Sequence, residues 1–483
     1  MARIWIGLAL VLAVLAGGVR ADTLPELSAT QSRTWVTPEE KALGAAWLRR
    51  LRGQVSTVDD PWLTEYLLDL IYRLYPQTGM DDGEISLVVV DSPELNAFAV
   101  PGGVVGVNGG LLLHTQREDE LAAVLAHELA HLSQRHFARR QDEAGKQTAI
   151  SLAGLLASVV VAAAAGSDAG FAAMATTQAY TLQSQLAYSR ENETEADNVG
   201  MSILARSGFS PLAMTDMFQR MIEASRYQGR APEYLMTHPL SESRLAQAQA
   251  RARQVSGSFA RSSGMAFYLV QARLKVRYAK RPEDALASFE AQLKAPELGS
   301  KEAGMQRLAA LYGAALAAMT AGQDEKAGER IRMLADELGA EPMVQALQAS
   351  WLARNGQPDQ ALHLLRRALE LRPGRYALLR IYARIAAEAG ELSSAITTLR
   401  ELARDYPDEP AIWSELADLY GKSGALAQVH MARAEALQLK GDVQGAIREL
   451  REARKKAAGD YIAATRIVER LKTFEAWQRN PVF

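Results

Sequence analysis

Gly322, Gly356, Gly390 and Gly424 stand 34 residues apart, each from the next, and this period restricts the C-terminal half more than any other feature. A fixed period of that length marks a repeated supersecondary unit that cannot cover its own apolar face and must stack on its neighbours. Five positions after the first three glycines come Ala327, Ala361 and Ala395; nine positions after come Ile331, Leu365 and Leu399. Small side chains let paired helices touch, and the bulky one fills the remaining gap. Pro373 and Pro407 lie seventeen residues beyond Gly356 and Gly390, where a proline ends the second helix. Ala285 and Phe289 suggest a degenerate leading repeat. At the far end Val429 breaks the Ala rule, and Gly441 with Ala446 and Leu450 restarts the phase only half a period later. That slip predicts a missing or fused helix near 425–440.

This is the tetratricopeptide pattern, and it predicts an α-solenoid over 263–483 with a stacked-helix surface suited to peptide or protein binding. Upstream, Glu39–Leu51 and Trp62–Leu74 carry apolar residues at helical spacing. Ile85–Val90 is rich in β-branched residues and reads as a strand. Asn96–Val107 reads as two short strands broken at Pro101-Gly102-Gly103, either an edge where an extended peptide pairs or a plain hairpin. Residues 149–180 are dominated by Ala, Val, Leu and Gly. Their longest apolar stretch, Leu152–Ala165, is short of the roughly 20 residues that cross a bilayer. The Gly166–Gly170 break predicts a helical hairpin near the site, touching membrane or an unfolded client, or else two ordinary core helices. The fold class expected is mainly α (α+β), with a small β-sheet.

Residues 127–131 read His127-Glu128-Leu129-Ala130-His131. On a helix, residues four apart share a face, so the two imidazoles can meet one Zn²⁺ ion, with Glu128 placed to take a proton from water. Thr115-Gln116-Arg117-Glu118 reads as a capping box starting that helix, and Leu121, Val124, Leu125, Leu129 and Leu132 make its buried stripe. A zinc site needs a third protein ligand and one open position. The acidic segment Ser189–Asp197 offers it: Glu193 and Asp197 share a face, while Glu195 is rotated by about 200° from Glu193. Only one of the two glutamates can therefore face a metal. His136 lies half a turn from His127 on an ideal helix and is not expected to be a ligand. His114, His363 and His430 are assigned to surface or packing roles.

With these residues in place the chain resembles the gluzincin metallopeptidase family that holds HtpX and the CAAX-prenyl proteases, and within it the BepA-type members. The resemblance covers HELAH at 127–131, Glu-x-x-Ala-Asp at 193–197, His238-Pro239 and the C-terminal repeats. The multiple membrane spans of HtpX-like relatives are lacking. The resemblance implies one Zn²⁺ per chain held by His127, His131 and Glu193, with Asp197 orienting a ligating histidine. Glu128 would be the general base, and His238 or Arg244 would stabilise the oxyanion. A sharper expectation is that neutral His238 occupies the open zinc position at rest and keeps the enzyme latent.

The chain starts like an exported one: Arg3, an apolar Ile4–Leu15 and Val19-Arg20-Ala21 form a leader expected to be cleaved after residue 21. The sequence contains no cysteine, so thiolate ligands and disulfides are excluded. Formal charge is −2, and losing Arg3 and Arg20 would take it to −4, which gives no sign of nucleic-acid binding. The expected organisation is leader 1–21, metallopeptidase domain 22–262 and repeat domain 263–483. The expected function is a periplasmic zinc endopeptidase cleaving misfolded or stalled envelope proteins, with a chaperone-like role in outer-membrane β-barrel assembly. Its partners would be protein substrates, the β-barrel assembly machinery through the repeats, and a peripheral membrane contact. The alternative is a non-proteolytic chaperone or scaffold, against which the intact Glu128 argues.

Overall fold

The computed structural model describes residues 36–139 and 189–479, apart from 82, 229–231, 258, 260–262 and 296–298. The expected leader and the 149–180 hairpin lie outside the described residues. Helix α1 (Pro38–Gln54) opens on a reciprocal cap: Thr37 Oγ1 accepts from Glu40 N, and Glu40 accepts from Thr37 N at 2.9 Å. Helix α2 (Pro61–Leu74) opens on Asp60, whose carboxylate accepts from Trp62 N and Leu63 N, with Pro61 preset for the first turn.

Three strands follow, β1 (Ser86–Val90), β2 (Ala97–Val100) and β3 (Val104–Asn108), in the order β1-β3-β2. β1 is parallel to β3 and β2 antiparallel to it, so the break at Pro101–Gly103 is a hairpin. Gly102 and Gly103 have φ of 91° and 81°, a backbone conformation that favours glycine. The close approach these glycines permit is made by α1: a Cβ on Gly102 would stand 2.4 Å from Glu40 O. The outer edge of β1 is covered, with Val58 N donating to Val89 O and Asp91 N to Ser56 O. Among the described residues no strand pairs with the outer edge of β2.

After α3 (Gly109–His114) comes α4 (Glu118–Ser133), which carries the HExxH run and is buried from Asp119 to Leu132. Its start differs from the expected capping box. Arg117 is the N-cap, and Glu120 accepts from Gln116 N at 2.7 Å and from Arg117 N, while Thr115 Oγ1 donates to Leu112 O. The glutamate three residues past Arg117 matters because Arg220 and Arg117 also clamp it, whereas Glu118 accepts from Tyr66 Oη instead. Helices α5 (Arg190–Arg206), α6 (Leu212–Gln228), α7 (Glu233–Thr237) and α8 (Glu242–Gln254) complete this part.

From α9 (Met265–Arg277) onward the chain is helix after helix. It runs through α10 (Pro282–Lys294), α11 (Lys301–Thr320), α12 (Asp324–Leu338) and α13 (Pro342–Arg354). The array continues with α14 (Pro358–Leu371), α15 (Tyr376–Glu388), α16 (Leu392–Asp405) and α17 (Pro410–Lys422). It ends with α18 (Leu426–Leu439), α19 (Val443–Lys456) and α20 (Tyr461–Arg479). The periodic glycines sit in the turns inside helix pairs with φ between 74° and 87°, which is why the period is written in glycine. Ala327, Ala361 and Ala395 are wholly buried between helices. The ring of Phe289 lies where a side chain on Gly313 would stand, the contact of the degenerate first repeat.

The expected missing or fused helix near 425–440 takes the fused form: α18 is a single continuous helix of fourteen residues that serves two pairs. It packs on α17 and also on α19. One helix closes a pair and opens the next, so the glycine spacing halves and two pairs are built from three helices.

The repeats clasp the N-terminal part through buried and half-buried charges. Arg273 reaches Asp60 at 2.7 Å and Tyr312 Oη at 2.8 Å. Arg380, almost wholly buried, bridges Asp59 and Glu415. Glu65 accepts from Ala377 N and pairs with Arg375.

Candidate metal centre

Helix α4 sets His127 and His131 one turn apart, and their Nε2 atoms converge to 3.0 Å. Helix α5 crosses α4 so closely that a Cβ on Gly200 would stand 3.1 Å from His127 Cα and N. That approach brings Glu193 to the imidazoles: Oε2 lies 3.5 Å from His127 Nε2, and Oε1 lies 3.4 Å from His131 Nε2. His238, just past α7, places Nδ1 3.0 Å from Glu193 Oε1. One ligand atom from each of His127, His131, Glu193 and His238 falls within 4.8 Å of all the others, and all four residues are buried.

This set fits a zinc ion. Tetrahedral coordination with bonds of about 2.0–2.1 Å has edges of roughly 3.3 Å, and the separations above bracket that length. The donors are two imidazoles, a carboxylate and a third imidazole, with no thiolate. The electrostatics agree. Burial opposes charging His127, yet hydrogen bonds to Asp197 and Glu193 outweigh it and raise its pKa to about 10, so the pocket favours a cation. Glu193 is held well below the usual carboxylate range, because His238, His127 and His131 together overcome its burial. His131 is pushed well down by burial and by its charged neighbours.

Around the four lies a second ring of contacts. Asp197 Oδ1 lies 3.0 Å from His127 Nδ1, the placement that the family resemblance implied. Arg244 grips both carboxylates: Nε and Nη2 donate to Asp197 at 2.8 Å, and Nη1 lies 2.7 Å from Glu193 Oε2. Nη1 also donates to Pro239 O, which ties the loop after His238 to the site. Glu195 points away from Glu193, as the rotation along α5 requires, and pairs with His136 and Arg139. Glu128 is buried one residue from His127, and burial raises its carboxyl above the ordinary value. Its Oε1 lies 3.5 Å from His238 Nε2.

Two contributors escape sequence reasoning. His136 is not a ligand, but its Nδ1 lies 2.9 Å from His131 Nδ1 and its Nε2 lies 3.2 Å from Glu195. The ideal-helix projection misplaces it because α4 ends at Ser133. Arg135 then takes the left-handed conformation, φ 52°, which swings His136 back under His131. Tyr234 stacks on His238 with ring centroids 4.5 Å apart, and burial together with the neighbouring Glu128 pushes its phenol well up. The only signal for it is its place four residues before His238. His114, His363 and His430 lie outside the cluster; His430 pairs with Glu449 at 2.6 Å.

A HExxH helix crossed by a glutamate that converges on its two histidines, joined to a helical array, defines a metallopeptidase with a repeat domain. Comparisons with known proteins bear this out. Residues 60–252 match the model of peptidase family M48, and residues 352–419 match a tetratricopeptide repeat. The beta-barrel assembly-enhancing protease of Escherichia coli (strain K12) is 33% identical over 436 residues, 90% of this chain and 87% of that protein. The putative beta-barrel assembly-enhancing protease of Vibrio cholerae is 31% identical over 424 residues, 88% of this chain and 86% of its own. The mitochondrial metalloendopeptidase OMA1 of Schizosaccharomyces pombe is 34% identical over 182 residues, 38% of this chain and 51% of that one. The chain belongs to peptidase family M48, as a metalloendopeptidase with C-terminal tetratricopeptide repeats.

Proposed function

We propose that this chain is an exported, zinc-dependent endopeptidase of the periplasm that cleaves misfolded or stalled envelope proteins and assists outer-membrane β-barrel assembly. The observation that carries the chemistry is the convergence of His127, His131 and Glu193 with Glu128 buried beside them. The cellular role draws on relatives named for β-barrel assembly and on a leader-like N-terminus. The repeats would hold client chains or the β-barrel assembly machinery.

Zinc held by His127, His131 and Glu193 would supply Lewis acidity, lowering the pKa of a water far below its bulk value, to about 7, and polarising the scissile carbonyl. Glu128 takes the proton of the attacking water and passes it to the leaving amine. Asp197 fixes the ring of His127 through Nδ1. Most donors of Arg244 already serve Asp197, Glu193 and Pro239 O, so its work is to hold the ligands in place. That leaves His238, of the two expected oxyanion donors, facing Glu128. At rest His238 would fill the fourth position and restrain the enzyme, and a substrate would displace it.

The test is Glu128→Gln in the purified full chain, with metal content and peptide hydrolysis measured together. Cleavage should fall by about 10²–10⁴ with zinc retained. Undiminished cleavage would overturn the assignment. Full rescue of β-barrel assembly by Glu128→Gln in cells would favour the scaffold reading instead. His238→Ala should raise uncontrolled proteolysis; a decrease would count against restraint by this residue.

A further inference from the structure

Helix α18 belongs to two pairs at once, so the last turn of the solenoid departs from the 34-residue stacking. The N-terminal turn of α20 shares an open groove of about 520 Å³ with α16, α17 and α18. That size lies within the roughly 300–1,000 Å³ of pockets that hold a ligand. Trp413, Leu416 and Ile462 give the groove an apolar lining, and Arg400, Arg404 and Arg466 line it with positive charge. Its one carboxylate, Asp460, already accepts from Ala463 N. Arg404 reaches only its neighbour Asp405, and among the described residues Arg400 and Arg466 have no ion pair.

A terminal helix of a solenoid normally turns a polar face to water. Helix α20 departs from that rule: Tyr461 is 84% and Ile462 66% exposed, and Leu426, beside the lining residue Ala425, is 50% exposed. Uncovered apolar side chains beside unpaired guanidinium groups call for an occupant carrying both apolar groups and negative charge. A free anion would leave the apolar lining wet, and a purely apolar segment would leave the arginines uncompensated.

We propose that this groove docks an extended acidic segment of a client polypeptide, with aliphatic or aromatic side chains on Trp413 and Ile462 and carboxylates facing Arg400 and Arg466. The assignment deepens the endopeptidase reading by giving the repeats a defined site and ligand chemistry, and in that sense rests on it. The groove holds the client while α4 and α5 carry out the cleavage.

The probe is a short acetylated, fluorescein-labelled peptide alternating Glu with Leu and Phe, titrated by anisotropy into the full chain carrying Glu128→Gln. Saturable binding that weakens with salt is expected, and the same peptide with Lys in place of Glu should not bind. Arg400→Glu combined with Arg466→Glu should raise Kd at least tenfold, about 1.4 kcal/mol. The control Arg367→Glu, on the exposed face of α14, should stay within twofold. All three substituted residues are exposed, so thermal melts should match the parent.

Absence of binding, equal affinity for the Lys peptide, or an unchanged Kd in the double variant would overturn the proposal. So would competition by millimolar inorganic phosphate that abolishes binding, which would mark a simple anion site. A dimer in sedimentation that the double variant dissolves would show the groove to be a self-interface. Cleavage of a short neutral peptide by the chain with Glu128 intact separates the two readings. If cleavage persists while acidic peptide fails to bind, only the groove is refuted; if binding persists without cleavage, only the enzymatic reading is.

Discussion

Gly200 is where the metal centre is most sensitive to one added methyl group. A Cβ there would stand 3.1 Å from His127 Cα and N and 3.2 Å from Ala126 C. Carbon contacts settle at about 3.5–4.0 Å, so Gly200→Ala must part α4 and α5 by roughly 0.4 Å or more. The obstructing atoms are backbone and cannot rotate aside. Ala in place of helical Gly returns about 1 kcal/mol, while overpacking a core costs about 1–3 kcal/mol. The difference is a net loss of about 0–2 kcal/mol, so Gly200→Ala should forfeit the gain that an unhindered helical Gly→Ala brings. Because Glu193 and Asp197 ride on the same helix, the displacement also carries them off His127, and zinc affinity should fall by about tenfold. Gly304→Ala, with nothing within 4 Å, is the matched control and should gain about 0.5–1 kcal/mol. Urea melts of metal-free protein and chelator competition for zinc read the two effects. A Gly200→Ala protein stabilised as much as Gly304→Ala, with unchanged zinc affinity, would refute the reasoning.

Asp197→Asn should weaken zinc binding by about 10–100-fold, and chelator competition showing no change would dismiss its role in orienting His127. Arg380→Ala should cost about 2 kcal/mol, since a buried guanidinium and its charged hydrogen bonds are lost; zinc affinity should be untouched, and a parallel fall would mean the clasp and the site are coupled. Arg277 holds Asp91 below the usual carboxylate range, chiefly by hydrogen bonding. A depressed pKa stabilises the fold above the unfolded value and loses that contribution as pH falls through the folded one. The gap between wild type and Asp91→Asn should therefore be about 0.5–1 kcal/mol at neutral pH and close below the ordinary aspartate value. A gap that widens on acidification would reverse the sign of the argument.

The parts of the site legible in the sequence are those set by helical periodicity. His127 with His131, and Glu193 with Asp197, are each four apart, and the rotation that separates Glu195 follows from the same geometry. What periodicity cannot show is where a helix stops. His136 joins the site only because Arg135 takes a left-handed turn, which nothing in the residue type announces. Tyr234 is one of fifteen tyrosines, and only the return of α7 to the cluster singles it out. In the repeats, glycine spacing locates each turn, and the halved interval at Gly441 leaves open whether a helix is missing or shared; α18 is shared. Spacing counts turns, and a helix shared by two pairs brings the next turn half a period early.

The clasp has a practical consequence. Asp59, Asp60 and Glu65 lie upstream of the catalytic helix, but they find their counter-charges on Arg380, Arg273 and Arg375, all within the array. Amputating the array would strand three carboxylates and uncover the helix they flank, so a dead truncated enzyme would say little about grip on clients. Catalysis and grasp are tenants of one frame, and point changes that leave the frame standing are the way to tell them apart.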